Sequence, residues 1–175
     1  MQDAQADRYP EEFVRAVGRI LDDEGGYVCD PSDPGGETKY GISRRAYPDL
    51  DIRDLTREQA IAIYYRDYWR EHRYGDLPGA VAEKLFDLAV NIGPANATRC
   101  LQRALRACGH HVADDGVLGP ATAEAARADA PASALLAAVR SEAAAHYRLT
   151  AALWPYKRGG AKCEFLTGWL NRAYE

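Results

Sequence analysis

Apolar residues recur near the beginning of the chain with the spacing of an amphipathic helix. Between residues 10 and 24 they are Phe13, Val14, Val17, Ile20 and Leu21. The steps from 13 to 17 to 20 continue to Glu24, so the apolar stripe ends in a carboxylate. Pro10 suits the first turn of such a helix, and Gly25–Gly26 suit its end. The pattern therefore predicts a helix that finishes at Glu24.

Glu24 is for this reason a candidate general acid. Burial disfavours the charged carboxylate, and the negative end of the helix dipole acts in the same direction. A carboxyl group that keeps its proton near neutral pH can protonate a leaving group. The alternative is an ordinary helix-terminal glutamate, because perturbed carboxylates also occur in structural networks.

The next segment is a Pro- and Gly-rich loop with further polar candidates. Asp30, Asp33 and Thr38 lie in it, and its D-P and G-G pairs are turn signals. We expect the run T-K-Y-G-I-S at 38–43 to form a short strand, so that helix end, acidic turn and small hairpin meet at one cleft edge. Two carboxyl groups on opposite sides of a sugar–sugar bond are what glycoside hydrolysis requires.

The rest of the chain is predicted to be helical. Thr56, with Gln59 three residues later, has a capping-box pattern and opens a helix that runs through Trp69. Four aromatic residues of this helix are expected mostly in the core, with one or two beside a sugar-binding groove: Tyr64, Tyr65, Tyr68 and Trp69. Further helices are predicted over residues 79–92, 94–108, 131–153 and 161–174. Trp154, Phe165 and Trp169 are expected to pack on the last two.

The helix over 79–92 carries a polar pair on its flank. Asp87 and Asn91 are four residues apart and can act together. Three roles are open for them: a solvated surface, a contact with substrate, or a brace for the cleft.

The loop and the segments after it resemble a known family. The string E-G-G-Y-V-x-D-P-x-D-P-G-G-x-T-x-Y-G-I-S at 24–43 is similar to the signature of glycoside hydrolase family 108, the N-acetylmuramidases of phage endolysins and lysozyme-like bacterial proteins. Blocks at 82–93, 115–122 and 165–172 continue the resemblance. It implies a mainly α, lysozyme-like helical fold with one small β-hairpin next to the catalytic cleft. It also implies a catalytic part over 8–94 and a helical, peptidoglycan-binding-like part over 95–175, packed against the first.

The resemblance also implies roles for single residues. Glu24 corresponds to the catalytic glutamate, Asp33 is the first choice for the second carboxylate with Asp30 as the alternative, and Thr38 helps to place water. The substrate contacts that we expect are Tyr27, Glu37, Tyr40, Asp87 and Asn91. Glu37 departs from the family pattern, in which proline is common, and adds another candidate for the second acidic group.

The implied function is hydrolysis of peptidoglycan between N-acetylmuramic acid and N-acetylglucosamine. A lytic transglycosylase is one alternative, since it needs the acid but no second aspartate. A non-catalytic wall-binding module is another, because D-G-V-L-G-P-A-T at 115–122 is similar to the D-G-x-x-G-x-x-T element of peptidoglycan-binding modules. Such a module has no use for a glutamate at the end of an apolar stripe, which favours an enzyme.

Charge and composition limit the partners. The chain has 175 residues and a formal net charge of −4, which argues against nucleic acid because that partner needs a basic face. No apolar run reaches the length of a membrane span. The first ten residues have no signal-peptide pattern, so we expect synthesis in the cytoplasm and delivery to the periplasm or cell wall by a holin or a secretion machine. If the protein is a secreted toxin, we expect a periplasmic immunity protein that inhibits it in the producer.

The four cysteines do not predict a disulfide framework. Cys100 and Cys108 lie eight residues apart on one predicted helix, roughly 12 Å along its axis, which is too far for a bridge. We expect buried free thiols at both, while a pairing that involves Cys29 or Cys163 stays open. Cys108 with the histidines at 110 and 111 matches no metal spacing, so neither a metal nor a cofactor is expected.

Overall fold

The computed structural model describes residues 8–23, 26–29, 36–128, 132–158 and 163–175. For residues 23, 154–158, 163 and 164 it describes the backbone alone. The described residues fall into two compact units, within 1–72 and within 73–175. Helices dominate both, with one small antiparallel sheet in the first, so the predicted mainly α fold with a small hairpin is confirmed.

The first unit begins with the predicted amphipathic helix. Helix α1 spans Glu11–Asp23. Its apolar stripe is buried, since Phe13, Val17, Ile20 and Leu21 are at most 3% exposed. Phe13 packs edge-on against Tyr65 and Trp69, with ring centroids 5.1 and 5.5 Å away. Aromatic packing of this kind anchors α1 to the helical segment that follows the sheet.

A three-stranded antiparallel sheet follows α1. Its strands are β1 (Val28–Cys29), β2 (Glu37–Lys39) and β3 (Ile42–Ser43), in the order β1-β2-β3. The expectation that T-K-Y-G-I-S forms one strand is wrong, because Tyr40 and Gly41 adopt φ values of 53° and 73° and turn the chain back. Two successive positive φ values suit a two-residue hairpin, since their twist matches that of the flanking strands.

The capped helix forms as predicted and then widens. Helix α2 spans Arg57–Tyr64 and has a full capping box: the Thr56 hydroxyl accepts from the Gln59 amide at 3.2 Å, and the Gln59 side chain accepts from the Thr56 amide at 2.8 Å. It continues as a π-helical segment over Tyr65–Arg70. Such wide turns are rare and often lie at functional sites. Tyr64 and Trp69 are buried as expected, whereas Tyr65 and Tyr68 are half-buried.

The second unit is an array of helices joined by short turns. A 3₁₀ turn over Tyr74–Asp76 leads to α3 (Gly79–Ile92), α4 (Pro94–Ala107), α5 (Pro120–Ala128), α6 (Ala132–Arg158) and α7 (Cys163–Tyr174). Helix α3 packs against α4 and α6, and α6 also packs against α4 and α7. The core therefore centres on α6, whose Leu135, Val139 and Ala143 are fully buried.

Three aromatic residues were expected to pack on the last two helices, and the structure describes the side chains of two of them. Trp169 packs on Tyr147 of α6, with nearly parallel rings 5.8 Å apart. Phe165 stacks on Trp169 of the same helix at 6.4 Å and is 57% exposed, so it packs on α7 at the surface. The side chain of Trp154 lies outside what the structure describes.

The D-G-V-L-G-P-A-T segment is a turn held by one buried amide. Gln102 of α4 is fully buried, and its side chain donates to Asp115 Oδ1 at 2.7 Å and accepts from the Gly116 amide at 2.9 Å. Gly116 has φ 79°, and a Cβ there would lie 2.9 Å from the Ala95 carbonyl oxygen. The motif is thus a structural anchor that leads into α5, which explains its glycine.

The thiols of Cys100 and Cys108 differ in their burial. Cys100 is buried, and burial raises the pKa of its thiol to about 11. Cys108 follows the last turn of α4 and is half-buried, less than expected. Across the described helices, none is long and apolar enough to span a membrane.

Candidate functional site

The three predicted carboxylates Glu24, Asp30 and Asp33 lie outside the described residues, so their catalytic roles stay predictions. The structure describes the elements on both sides of them. Helix α1 ends at Asp23, directly before Glu24, and its last two apolar residues, Ile20 and Leu21, are buried. The helix end and the apolar stripe that motivated Glu24 as the acid are therefore present.

Thr38 occupies the central position of the sheet. It lies in β2 opposite Val28 of β1 and Ser43 of β3, and it is half-buried. Main-chain pairing on both sides fixes its backbone more firmly than that of an edge residue. A hydroxyl on a rigid strand is suited to hold a water or a substrate group in one place.

Glu37 is bound on both carboxylate oxygens. The Tyr27 hydroxyl donates to Oε1 at 2.9 Å, and Arg44 Nη2 donates to Oε2 at 2.8 Å. The Tyr27 bond, followed by the Arg44 bond, lowers the pKa of Glu37, and the same carboxylate raises the pKa of Tyr27 to about 12. Glu37 is therefore an ionised cross-strand link, which makes it a poor choice for the second acidic group.

The hairpin is tied to the helical part of its unit. The Tyr64 hydroxyl of α2 donates to the Tyr40 carbonyl at 2.9 Å, which holds the strained turn residue. Lys39 Nζ donates to the Arg53 carbonyl at 2.7 Å, and the Arg53 guanidinium lies 5.7 Å from the centre of the Tyr27 ring. These contacts hold Tyr27, Glu37 and Tyr40 close to Thr38, and their contact with substrate stays a prediction.

A second polar network, which the sequence did not indicate, lies at the end of α2. The Tyr47 hydroxyl donates to Asp67 Oδ2 at 2.8 Å, and Arg66 donates to both Asp67 oxygens, with Nη2 at 2.7 Å. The Arg66 contact lowers the pKa of Asp67, while burial and then Asp67 raise the pKa of Tyr47. The sequence does not indicate this network, because Tyr47 and Asp67 are twenty residues apart.

Asp87 and Asn91 lie in the second unit and both bind Arg172 of α7. Asp87 Oδ1 accepts from Arg172 Nε at 3.0 Å and Nη2 at 2.9 Å. With its amide oxygen turned toward Arg172, Asn91 accepts from Nη1 at 2.9 Å. Lys84, only 6% exposed, lies 3.4 Å from Asp87 and donates to the Arg172 carbonyl. These contacts favour a bracing role, and a contact of this pair with substrate stays a prediction.

Among the described residues, no group of three His, Cys, Asp or Glu side chains is placed to hold a metal ion. The histidines at 110 and 111 line a cavity of about 300 Å³ together with Glu124 of α5.

Comparisons with known proteins agree with this arrangement. The glycosyl hydrolase 108 family matches residues 17–93, and a family described as a predicted peptidoglycan domain matches residues 96–174. The chain is similar to a solved structure titled "Structure of Brucella abortus SagA", with a TM-score of 0.69, 29% identity, and coverage of 93% of each chain. No curated protein matches it. The chain therefore carries a glycosyl hydrolase 108 domain over residues 17–93 and a predicted peptidoglycan domain over residues 96–174, as its motifs predicted.

Proposed function

We propose that this protein is an N-acetylmuramidase, a lysozyme that cleaves peptidoglycan between N-acetylmuramic acid and N-acetylglucosamine. The observation that carries the proposal is the order of two elements along the chain: helix α1, which ends at Asp23 after a buried apolar stripe, and the sheet whose central strand holds Thr38. The family match over 17–93 supports a glycoside hydrolase, and the match over 96–174 supports peptidoglycan as its partner.

In this mechanism Glu24 protonates the glycosidic oxygen as the bond breaks. Asp33 activates the attacking water, with Asp30 as the alternative, and Thr38 helps to place that water. Glu37 is already bound by Tyr27 and Arg44, which favours the aspartates of the loop for this step. A water between the two carboxyl groups means inversion of the anomeric centre and a separation of roughly 6.5–9.5 Å.

The test of Glu24 is Glu24→Gln, with Glu12→Gln in the first turn of α1 as a control. Loss of the transferable proton should lower the rate of release of reducing ends from purified sacculi by roughly 10²-fold or more. The thermal unfolding midpoint should change little in both variants. A Glu24→Gln protein that digests sacculi at the wild-type rate would remove the proposed mechanism.

The second carboxylate is tested by Asp33→Asn and Asp30→Asn. We expect Asp33→Asn to approach the Glu24→Gln defect and Asp30→Asn to cost less. The reverse ranking would transfer the role to Asp30. Mass spectrometry of the products decides the reaction class, because a hydrolase leaves reducing muramic acid and a lytic transglycosylase leaves the anhydro form.

The match to a predicted peptidoglycan domain, beside a glycosyl hydrolase domain, supports a site of action outside the cytoplasm. We propose delivery by a holin or a secretion machine, and a periplasmic inhibitor in any producer that secretes the protein as a toxin. Fusion to a periplasmic export signal should lyse Gram-negative cells in a Glu24-dependent manner. Equal lysis by the unfused chain would contradict this account and indicate damage to the membrane.

A further inference from the structure

A cavity of about 530 Å³ opens in the first unit between the 46–50 loop and one side of α2. Its volume falls in the range of small-ligand sites, roughly 300–1,000 Å³. Apolar side chains make up much of its wall, among them Leu50 and Ile63, with Ala46 and Ala62 beside them. A cavity of this size and lining suits an aliphatic chain.

The cavity also has a cationic group with a fixed orientation. Arg66 lines it and is held through Nε and Nη2 by Asp67, which the Tyr47 hydroxyl fixes in turn. A guanidinium has five N–H donors, and the bonds to Asp67 use one on Nε and one on Nη2, so both N–H groups of Nη1 and one of Nη2 remain for a ligand. A guanidinium already oriented by hydrogen bonds loses less freedom when it binds a carboxylate.

An acidic group lines the same cavity. Asp49 comes from the 46–50 loop, so the lining carries a cation from the helix side and an anion from the loop side. A simple anion would be repelled by Asp49, and a simple cation would be repelled by Arg66. The ligand that matches both charges and the apolar wall is an amino acid head group, with ammonium and carboxylate, on an aliphatic chain.

We propose that this cavity binds the free amino acid end of the diamino acid in the peptide stem of peptidoglycan. Its carboxylate binds Arg66, its ammonium binds Asp49, and its methylene chain lies against Leu50 and Ile63. The identification rests on the proposed function, because peptidoglycan is the substrate that carries such a group. The 46–50 loop follows β3 closely in the chain, so the cavity belongs to the same unit as the hairpin of Thr38.

The test compares two soluble muramyl tripeptides that differ only in the third residue, meso-diaminopimelate or L-lysine. The lysine side chain has the ammonium but lacks the carboxylate, so calorimetry with the full chain should give roughly tenfold weaker binding for the lysine peptide. Equal affinities, or tighter binding of the lysine peptide, would overturn the proposal.

Two pairs of variants locate the binding. Ala62→Phe fills the cavity from an exposed position of α2, and Ala80→Phe adds the same ring at an exposed position of α3. Arg66→Gln removes the guanidinium, and Arg70→Gln removes an exposed one four residues later. The first member of each pair should abolish the preference for diaminopimelate and the second should keep it. A preference that survives both Ala62→Phe and Arg66→Gln would place the ligand elsewhere.

The two proposals fail in different ways. Lysis of sacculi that depends on Glu24, together with equal binding of the two tripeptides, would contradict the cavity proposal alone. A diaminopimelate preference in a protein that cleaves no glycosidic bond would contradict the muramidase and keep the cavity.

Discussion

At the scale of single residues, the binding of Glu37 by Tyr27 and Arg44 decides which carboxylates remain for chemistry. An exposed glutamate beside a cleft has its charge available to a substrate or a water. Here both oxygens are used within the sheet and the following loop, at 2.9 and 2.8 Å. Glu37 therefore adds a cross-strand link to the hairpin.

This link has a pH dependence with a defined sign. The pKa of Glu37 is lowered from 4.5, so its stabilisation of the hairpin is present above that value and is lost as the pH falls through the lower, folded value. The protection factors of the β1 and β2 amides, which correct for the slower intrinsic exchange in acid, should therefore fall as the pH is lowered. In Glu37→Gln the same amides should be less protected at neutral pH, and their protection should change little as the pH is lowered. If amide protection changed with pH in the same way in the wild type and in Glu37→Gln, Glu37 would not be the group that links hairpin stability to pH.

Single residues also show where the sequence stops being informative. The helical spacing that leads to Glu24 is local, so the end of α1 could be predicted. Gln102 could not, because its fully buried amide is paired with a turn thirteen to fifteen residues away. Partners that distant leave no periodic signal in one chain.

At the scale of elements, the ends of helices could be predicted where a capping residue or a glycine marks them. The capping box at Thr56 and the glycine after α4 gave the helix bounds to within a few residues. The hairpin turn was missed because positive φ at Tyr40 is unusual for a non-glycine residue, and it is held by the Tyr64 hydroxyl of another element. The π-helical widening after α2 likewise has no sequence signal that we recognise.

Helices α3 and α7 supply a prediction at this scale. Asp87 balances Lys84 and Arg172, whose side chains are 6% and 23% exposed. Asp87→Asn should lower the free energy of unfolding by about 2 kcal/mol, less than for a fully buried pair because Asp87 is partly exposed. Urea unfolding measures this, with Glu124→Gln on the exposed side of α5 as the control.

The same variant separates the two roles of Asp87. A brace predicts lower stability and a near-normal KM for sacculi under conditions where the protein stays folded. An unchanged urea midpoint with a raised KM would instead support contact with substrate.

At the scale of the whole molecule, the compact units and the matched families divide the chain differently. The glycosyl hydrolase match reaches residue 93, whereas α3 belongs to the unit within 73–175 and packs against α4 and α6. The predicted boundary at residue 94 stays a prediction about function. The contacts that α3 makes with α4 and α6 indicate that the boundary between the two folding units lies before α3.

Truncation tests this division. A chain cut after residue 94 would expose apolar residues of α3 that the full protein buries: Val81, Leu85, Phe86 and Leu88. We expect it to bind a hydrophobic dye and to unfold without a cooperative transition. A chain cut after residue 72 should expose less of such surface and keep the amide signals of the hairpin. Cooperative unfolding of the 1–94 fragment would contradict this expectation.

The membership of α3 in the second unit has a consequence for protein engineering. A domain exchange guided by the two matched families would place the cut between them. In this chain such a cut, at residues 94–95, would separate Leu85 and Leu88 from the helices that cover them. Chimeras that exchange the C-terminal part should therefore carry α3 along, with the junction near His72.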